Sequence, residues 1–219
     1  MTAHTYPALT LYAPAPASVR LIECSPPSWM VALALEEKRL PYRVEHLSFA
    51  AGEHKSPAML ARNPRGTIPV LTDGDLAVHE TFAILSYLEY AYPLVPLLPS
   101  GQARARALTR FHESDQLKAR GMQLFAYLMR TPDDQRDPVQ VDEMRAALQA
   151  ELELWERYYG EAEWAAGEAL SLADLAVFTY LATAVRLALV EAARLPRLLA
   201  FHDRMRTRAS VVATWPPTW

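Results

Sequence analysis

A chain of 219 residues suits one large domain or two small ones, and 51% hydrophobic residues exclude a disordered polymer. A formal net charge of -3 argues against a nucleic-acid or anionic-membrane partner; the arginines near 104–110 and 204–208 sit on helical patterns beside acids and read as solvated faces. The single cysteine, Cys24, excludes an intrachain disulfide and any CxxC or cysteine-based metal cluster, and fits a reducing cytoplasm. No N-terminal signal segment is evident, and the most apolar stretch, 172–190, carries Asp174 and Arg186, so it reads as a buried helix and not a membrane span.

Residues 1–17 hold three prolines and little pattern, and read as a flexible extension. Residues 19–24 alternate and are bounded by proline-rich sequence, which marks a first strand. A competing register places that strand at 9–12 with a serine turn at Ser18; a helix after Ser18 would be stopped almost at once by Pro26-Pro27, so 19–24 is preferred. Ser28 is then the N-cap of an apolar helix over 29–39. A second strand at 42–47 completes a βαβ unit with parallel pairing. Residues 70–72 and 76–78 flank Asp73-Gly74, a tight-hairpin signal, and 81–92 follow as a helix.

Pro93, Pro96, Pro99 and Gly101 then mark an interdomain linker over 93–101. Beyond it, 103–130 (Leu108, Phe111, Met122, Phe125) and 141–159 (Met144, Leu148, Leu152, Trp155, Tyr159) follow the helical period, with Pro132 and Pro138 at the break. Ser171-Leu172-Ala173-Asp174 reads as a capping box, and Pro196 suits the first turn of a last helix. No strand stands out after the linker. The architecture is therefore βαβ, a ββα hairpin unit, and an all-α C-terminal part: an extension over 1–17, an α/β domain over 18–92, a linker over 93–101 and a helical domain over 102–219.

Residues 52–57 (Gly-Glu-His-Lys-Ser-Pro), 63–71 (Asn-Pro-Arg-Gly-Thr-Ile-Pro-Val-Leu), 73–76 (Asp-Gly-Asp-Leu) and 79–81 (His-Glu-Thr) together resemble the glutathione-binding stretch of cytosolic glutathione transferases. Ser25-Pro26-Pro27-Ser28-Trp29 is similar to the active-site segment of the serine-type classes, zeta in particular, and the His-Lys-Ser-Pro stretch to phi. Gly167 with 171–174 resembles the helix-capping motif of the family's C-terminal domain, so the similarity covers about 18–212. The resemblance implies an α/β thioredoxin-like N-terminal domain joined to an all-α helical domain. It implies a cytoplasmic homodimer working in detoxification, with glutathione as co-substrate, no metal, and a small hydrophobic electrophile as partner substrate. The reaction would be transfer of alkyl or aryl groups to glutathione, with isomerase or dehalogenase variants open.

The thiol of glutathione ionises near pH 8.5 when free, so a site speeds its chemistry by stabilising the thiolate. Ser25 matches the family's catalytic serine, a hydroxyl donor at a helix start aided by the helix dipole; as a bare sequence feature it is also a turn or cap residue. Cys24, one residue earlier in a strand, would face the opposite way and be buried and inert. Thr67, Ile68 and Pro69 would hold the cysteinyl part against a sheet edge, through a cis-proline turn in the family; the sequence leaves cis and trans open. Glu80 and Thr81, opening a helix, suit the γ-glutamyl ammonium and carboxylate. Lys55, with His54, either meets the glycine carboxylate or is only solvated. Pro27, Phe111, His112 and Asp115 would line the second-substrate pocket, with an interface pair as the other reading of His112 and Asp115. The aromatic tail 215–219 either folds back or binds a partner. A non-enzymatic binding or scaffolding relative is the alternative function, and a Cys24 thiol reductase ranks last.

Overall fold

The computed structural model describes residues 9–16, 24–217 and 219. The chain divides into two compact units, one built chiefly on 24–96 with the first strand, the other on 97–215.

In the first unit, β1 (Leu9–Pro14), β2 (Tyr42–Leu47), β3 (Val70–Asp73) and β4 (Leu76–His79) form one sheet in the order β2-β1-β3-β4. β1 runs parallel to β2, with Leu9 opposite Tyr42 and Pro14 opposite Leu47, and antiparallel to β3, with Tyr12 opposite Val70. The first strand therefore lies at 9–14, inside the stretch read as a flexible extension, as in the register set aside on sequence grounds, but the helix begins at Pro26 behind Ser25 and not directly after Ser18. Leu9, Leu11 and Ala13 alternate with Thr10 and Tyr12, and all but the half-buried Tyr12 are buried. Prolines 26 and 27 do not stop a helix. They occupy its first two positions, where an amide N–H has no intrahelical partner to lose. The strand read at 19–24 lies, apart from Cys24, outside the described residues, as does the turn at Ser18.

Helix α1 (Pro26–Glu37) connects β1 to β2 and is apolar nearly all round because Trp29, Met30, Val31, Leu33, Ala34 and Leu35 are all buried. It packs against β1 and against α3 (Thr81–Ala91). A 3-10 turn at Glu53–Lys55 and the short α2 (Pro57–Arg62) follow β2. The hairpin turns on Gly74 and Asp75, with Gly74 at φ 58°, while Asp73 stays in β3 opposite Leu76. The Asp73 carboxylate accepts from the hydroxyls of Tyr87 (2.7 Å) and Tyr92, which fastens the hairpin to α3. At the far end of α1, the buried Lys38 Nζ donates to Glu89 Oε1 of α3 (2.7 Å) and to the Val95 carbonyl (2.8 Å).

The second unit is α4 (Gly101–Arg130), α5 (Pro138–Glu161), α6 (Leu172–Arg186), α7 (Pro196–Arg206) and α8 (Ala209–Thr214), with no named strand among the described residues. α4 and α6 meet at Gly121, where an added Cβ would lie 3.0 Å from the Tyr180 ring; the missing side chain is what lets them approach. Asp174 is fully buried at the start of α6 and accepts four bonds of 2.8 Å, from Tyr159 Oη, Ala165 N, Ser171 N and Ser171 Oγ. It thus closes the capping box read from the sequence and ties α5, the 165 loop and α6 into one knot. At the C-terminus Trp215 meets Trp219 edge to face and lies under the Arg206 guanidinium, so the tail turns onto α7. No helix among the described residues is long and apolar enough to cross a membrane.

Candidate functional site

The topology of the first unit gathers the candidate residues at one end of the sheet. β1 and β2 are parallel, so α1 must start beyond the C-terminal end of β1 to return antiparallel. The Glu53–Lys55 turn follows the C-terminal end of β2, level with the end of β1. Val70 at the start of β3 pairs with Tyr12 near that same end, and with His79 at the end of β4. The start of α1, the Ile68-Pro69 turn, the start of α3 and the Glu53–Lys55 turn therefore share one edge of the unit.

Ser25 is the N-cap of α1, in extended backbone at φ -119°, and the helix begins three residues earlier than a Ser28 cap would place it. Its carbonyl takes the first helical bond from Trp29 N (2.8 Å). Its Oγ accepts from Ser28 N (3.4 Å) and from Ser28 Oγ (3.1 Å). Ser25 is half-buried, whereas Ser28 is 4% exposed. Cys24 is a half-buried thiol in a bend, not a buried strand residue, so strand alternation does not separate it from Ser25. What separates them is that Ser25 is the cap.

Asn63, which carries no role in the sequence reading, organises the next stretch. It is 1% exposed, its Nδ2 donates to Thr67 O (2.7 Å) and Thr67 Oγ1 (3.0 Å), and its Oδ1 accepts from Arg65 N (3.1 Å). The Asn-Pro pair was the available signal, since asparagine before proline closes loops on its own amide. Gly66, at φ 60°, lies so close to the Lys55 stem that a Cβ would sit 3.2 Å from Lys55 Cγ. That contact joins the 63–67 loop to the Glu53–Lys55 turn. The loop delivers the chain into Ile68-Pro69, whose peptide bond is cis. Thr67 is exposed, Ile68 half-buried and Pro69 buried.

Within the Glu53–Lys55 turn, the His54 ring stands edge-on to Phe49 at 4.5 Å and its buried Nδ1 has no hydrogen-bond partner. Burial, and then the neighbouring Lys55 charge, hold its pKa below the ordinary 6.5, so near neutral pH the exposed Lys55 is the cation here.

Helix α3 starts at Thr81, which is 7% exposed, after Glu80 as N-cap. Glu80 makes no side-chain cap, and its exposed carboxylate stands 3.9 Å from Arg65. Its backbone is left-handed, φ 66°, a conformation that costs a non-glycine residue about 1–3 kcal/mol.

The four residues read as a second-substrate pocket differ in exposure. Pro27 is half-buried at the second position of α1. On α4, His112 and Asp115 are exposed, with Asp115 paired to Lys118 at 3.1 Å, while Phe111 is 1% exposed and is core, not open wall. No cluster of three or more metal-type side chains occurs among the described residues.

Comparisons with known proteins agree in both units. A family model described as glutathione S-transferase, N-terminal domain, matches residues 24–91, and one described as glutathione S-transferase, C-terminal domain, matches 122–214. A curated relative, glutathione S-transferase A of Pleuronectes platessa, is 36% identical over 203 residues, covering 89% of each chain. The crystal structure of a glutathione S-transferase from the Antarctic clam Laternula elliptica superposes with a TM-score of 0.82 at 33% identity, covering 97% of this chain and 94% of that one. The glutathione transferase URE2P6 from Phanerochaete chrysosporium, solved with oxidised glutathione, reaches 0.83 at 24% identity over 97% and 96%, a likeness of fold.

Proposed function

The chain belongs to the glutathione transferase family, and from that premise we propose that its chemistry runs on Ser25 as hydrogen-bond donor to the sulfur of glutathione. It is a transferase that joins the tripeptide to a second substrate; the thiolate attacks an electrophilic carbon, and the displaced group leaves with the electron pair. The observation that carries the proposal is the state of the Ser25 hydroxyl. Its oxygen accepts from Ser28 N and lies 3.1 Å from Ser28 Oγ, so when Ser28 donates across that pair the Ser25 proton is the group left to point outward.

The rest of the tripeptide is assigned by charge and backbone. Start of α3: the first amide groups, uncapped by Glu80, and the Thr81 hydroxyl suit the γ-glutamyl carboxylate, and the exposed Glu80 carboxylate suits the ammonium. Thr67, Ile68 and Pro69 would offer backbone groups at the cis turn to the cysteinyl part. Lys55 is the cation for the glycine carboxylate, with the neutral His54 beside it. Pro27 remains a candidate for the second-substrate side, that substrate being a small hydrophobic electrophile. Cytoplasmic detoxification by a homodimer completes the reading; its support is the family alone. A purely scaffolding role is not favoured, since the relatives are named glutathione S-transferases and Ser25 keeps a half-buried hydroxyl at the start of α1.

The test is Ser25→Ala, assayed by conjugation to an aryl halide and by calorimetric binding of glutathione. Loss of one oriented donor to developing or resident negative charge costs roughly 100-fold in kcat/KM. Binding of the tripeptide should hold within about threefold, because the anchoring charges are elsewhere. Full activity in this variant, or its disappearance only with Cys24→Ala, would overturn the assignment.

A further inference from the structure

We infer that Ser28 is a positioning residue for the reaction: it acts through Ser25, donating its hydroxyl proton to Ser25 Oγ so that Ser25 donates its own to the glutathione sulfur. This rests on the reading of Ser25 given above.

The start of α1 lacks most of the amide donors a helix start ordinarily has. The first two residues of α1 are Pro26 and Pro27, which have no amide hydrogen. The third amide, Ser28 N–H, is spent on Ser25 Oγ, and the fourth, Trp29 N–H, on the Ser25 carbonyl. No backbone donor of the first turn is left for a negative sulfur, although helix starts ordinarily supply several. Thiolate stabilisation at α1 therefore falls on one hydroxyl.

The Ser25–Ser28 pair strengthens that hydroxyl. The two oxygens lie 3.1 Å apart, and Ser28 is 4% exposed, so water does not compete for its proton. With no sulfur present the proton between the oxygens could lie either way. A thiolate beside Ser25 decides it, because a bond to a charged acceptor is roughly twice as strong as one between neutral hydroxyls. Ser25 then turns its proton outward, and Ser28 supplies the one that fills the vacated lone pair. Each bond in such a chain polarises the next, which makes Ser25 a better donor than an isolated serine. No bond to a heavy atom changes in this step; two hydroxyl protons reorient.

The experiment follows the ionisation of bound glutathione by the ultraviolet absorbance of its thiolate across pH, in wild type, Ser25→Ala, Ser28→Ala and Ser28→Thr. Thermal melting and glutathione Kd above the ionisation midpoint are measured in parallel. Alanine suits a helix interior at least as well as serine, so Ser28→Ala is expected to fold. Its midpoint should rise by about one pH unit, which is about tenfold less thiolate below the midpoint, with Kd moved by less than about twofold. The acid limb of the kcat/KM profile should shift with it, and Ser28→Thr, which keeps the hydroxyl, should restore both. If Ser25→Ala moves the midpoint and Ser28→Ala does not, Ser28 is only a helix residue and this inference falls while the reading of Ser25 stands. If neither moves it, the reading of Ser25 falls and takes this inference with it. A midpoint shift in Ser28→Ala that Ser28→Thr fails to reverse, with melting unchanged in both, also overturns a role for the hydroxyl.

Discussion

Helices α1 and α3 begin at the same end of one sheet and are finished in opposite ways. The start of α1 is closed: a serine caps it, two prolines remove two amide donors, and the third amide is taken by the cap. The start of α3 has no side-chain cap. Its N-cap, Glu80, gives no side-chain bond and holds a left-handed backbone that a glycine would adopt at less cost. On the proposed reading the two starts divide the labour by donor type. A carboxylate with two oxygens suits an array of backbone amides, whereas a single sulfur that must lose a proton suits one oriented hydroxyl. In the same unit, Asn63 and Gly66 set the approach of the connecting loop, so the two helix starts are spaced by packing and not by adjacency in the chain.

The largest effect should come from releasing the two helices from each other. Lys38 at the end of α1 is 1% exposed in its side chain and pairs with Glu89 of α3, itself 7% exposed. Lys38→Ala leaves a buried carboxylate without this partner and should cost about 3 kcal/mol of unfolding free energy, read by urea titration. A loss below about 1 kcal/mol would show that the helices do not depend on this pair for their alignment.

A tenfold effect is expected at the start of α3. Thr81→Val keeps the shape of a 7% exposed side chain and removes the hydroxyl. Glutathione Kd should rise about tenfold by calorimetry, the worth of one bond to a charged group. The thiolate midpoint should stay in place. A shifted midpoint with unchanged Kd would reverse the assignment of the two helix starts.

The smallest effect sharpens the comparison most. Pro27→Ala returns one amide hydrogen to α1 and makes its start more like that of α3. The midpoint of bound glutathione should fall by about half a pH unit, the scale of one helix-end interaction. No change would mean that the second amide of α1 does not face the sulfur.

Much of the fold was legible in the chain. The two-residue hairpin, the helix after it and the capping box at Ser171 and Asp174 are local patterns, and local hydrogen bonding enforces them. The start of the chain was misread because prolines 26 and 27 look like helix breakers in sequence; in the fold they are the opening pair, and β1 lies at 9–14. Residue types at the candidate site were equally legible, since Ser25, Lys55, Glu80 and Thr81 stand in ordered motifs. Their neighbours were not. Nothing in the pattern of Ser28 says that it donates to Ser25, and nothing near His54 says that its ring is wedged beside Phe49 with its proton affinity lowered.

The sequence alone determined the βαβ-ββα and helical architecture, because hydrophobic period and turn residues act over a few positions. It also determined which chemical groups are present at the candidate site. Tertiary structure decided how those groups are spent. Which hydroxyl caps, which amides stay available, and whether histidine or lysine bears the charge depend on burial and on partners far along the chain, and neither is a property of any one segment.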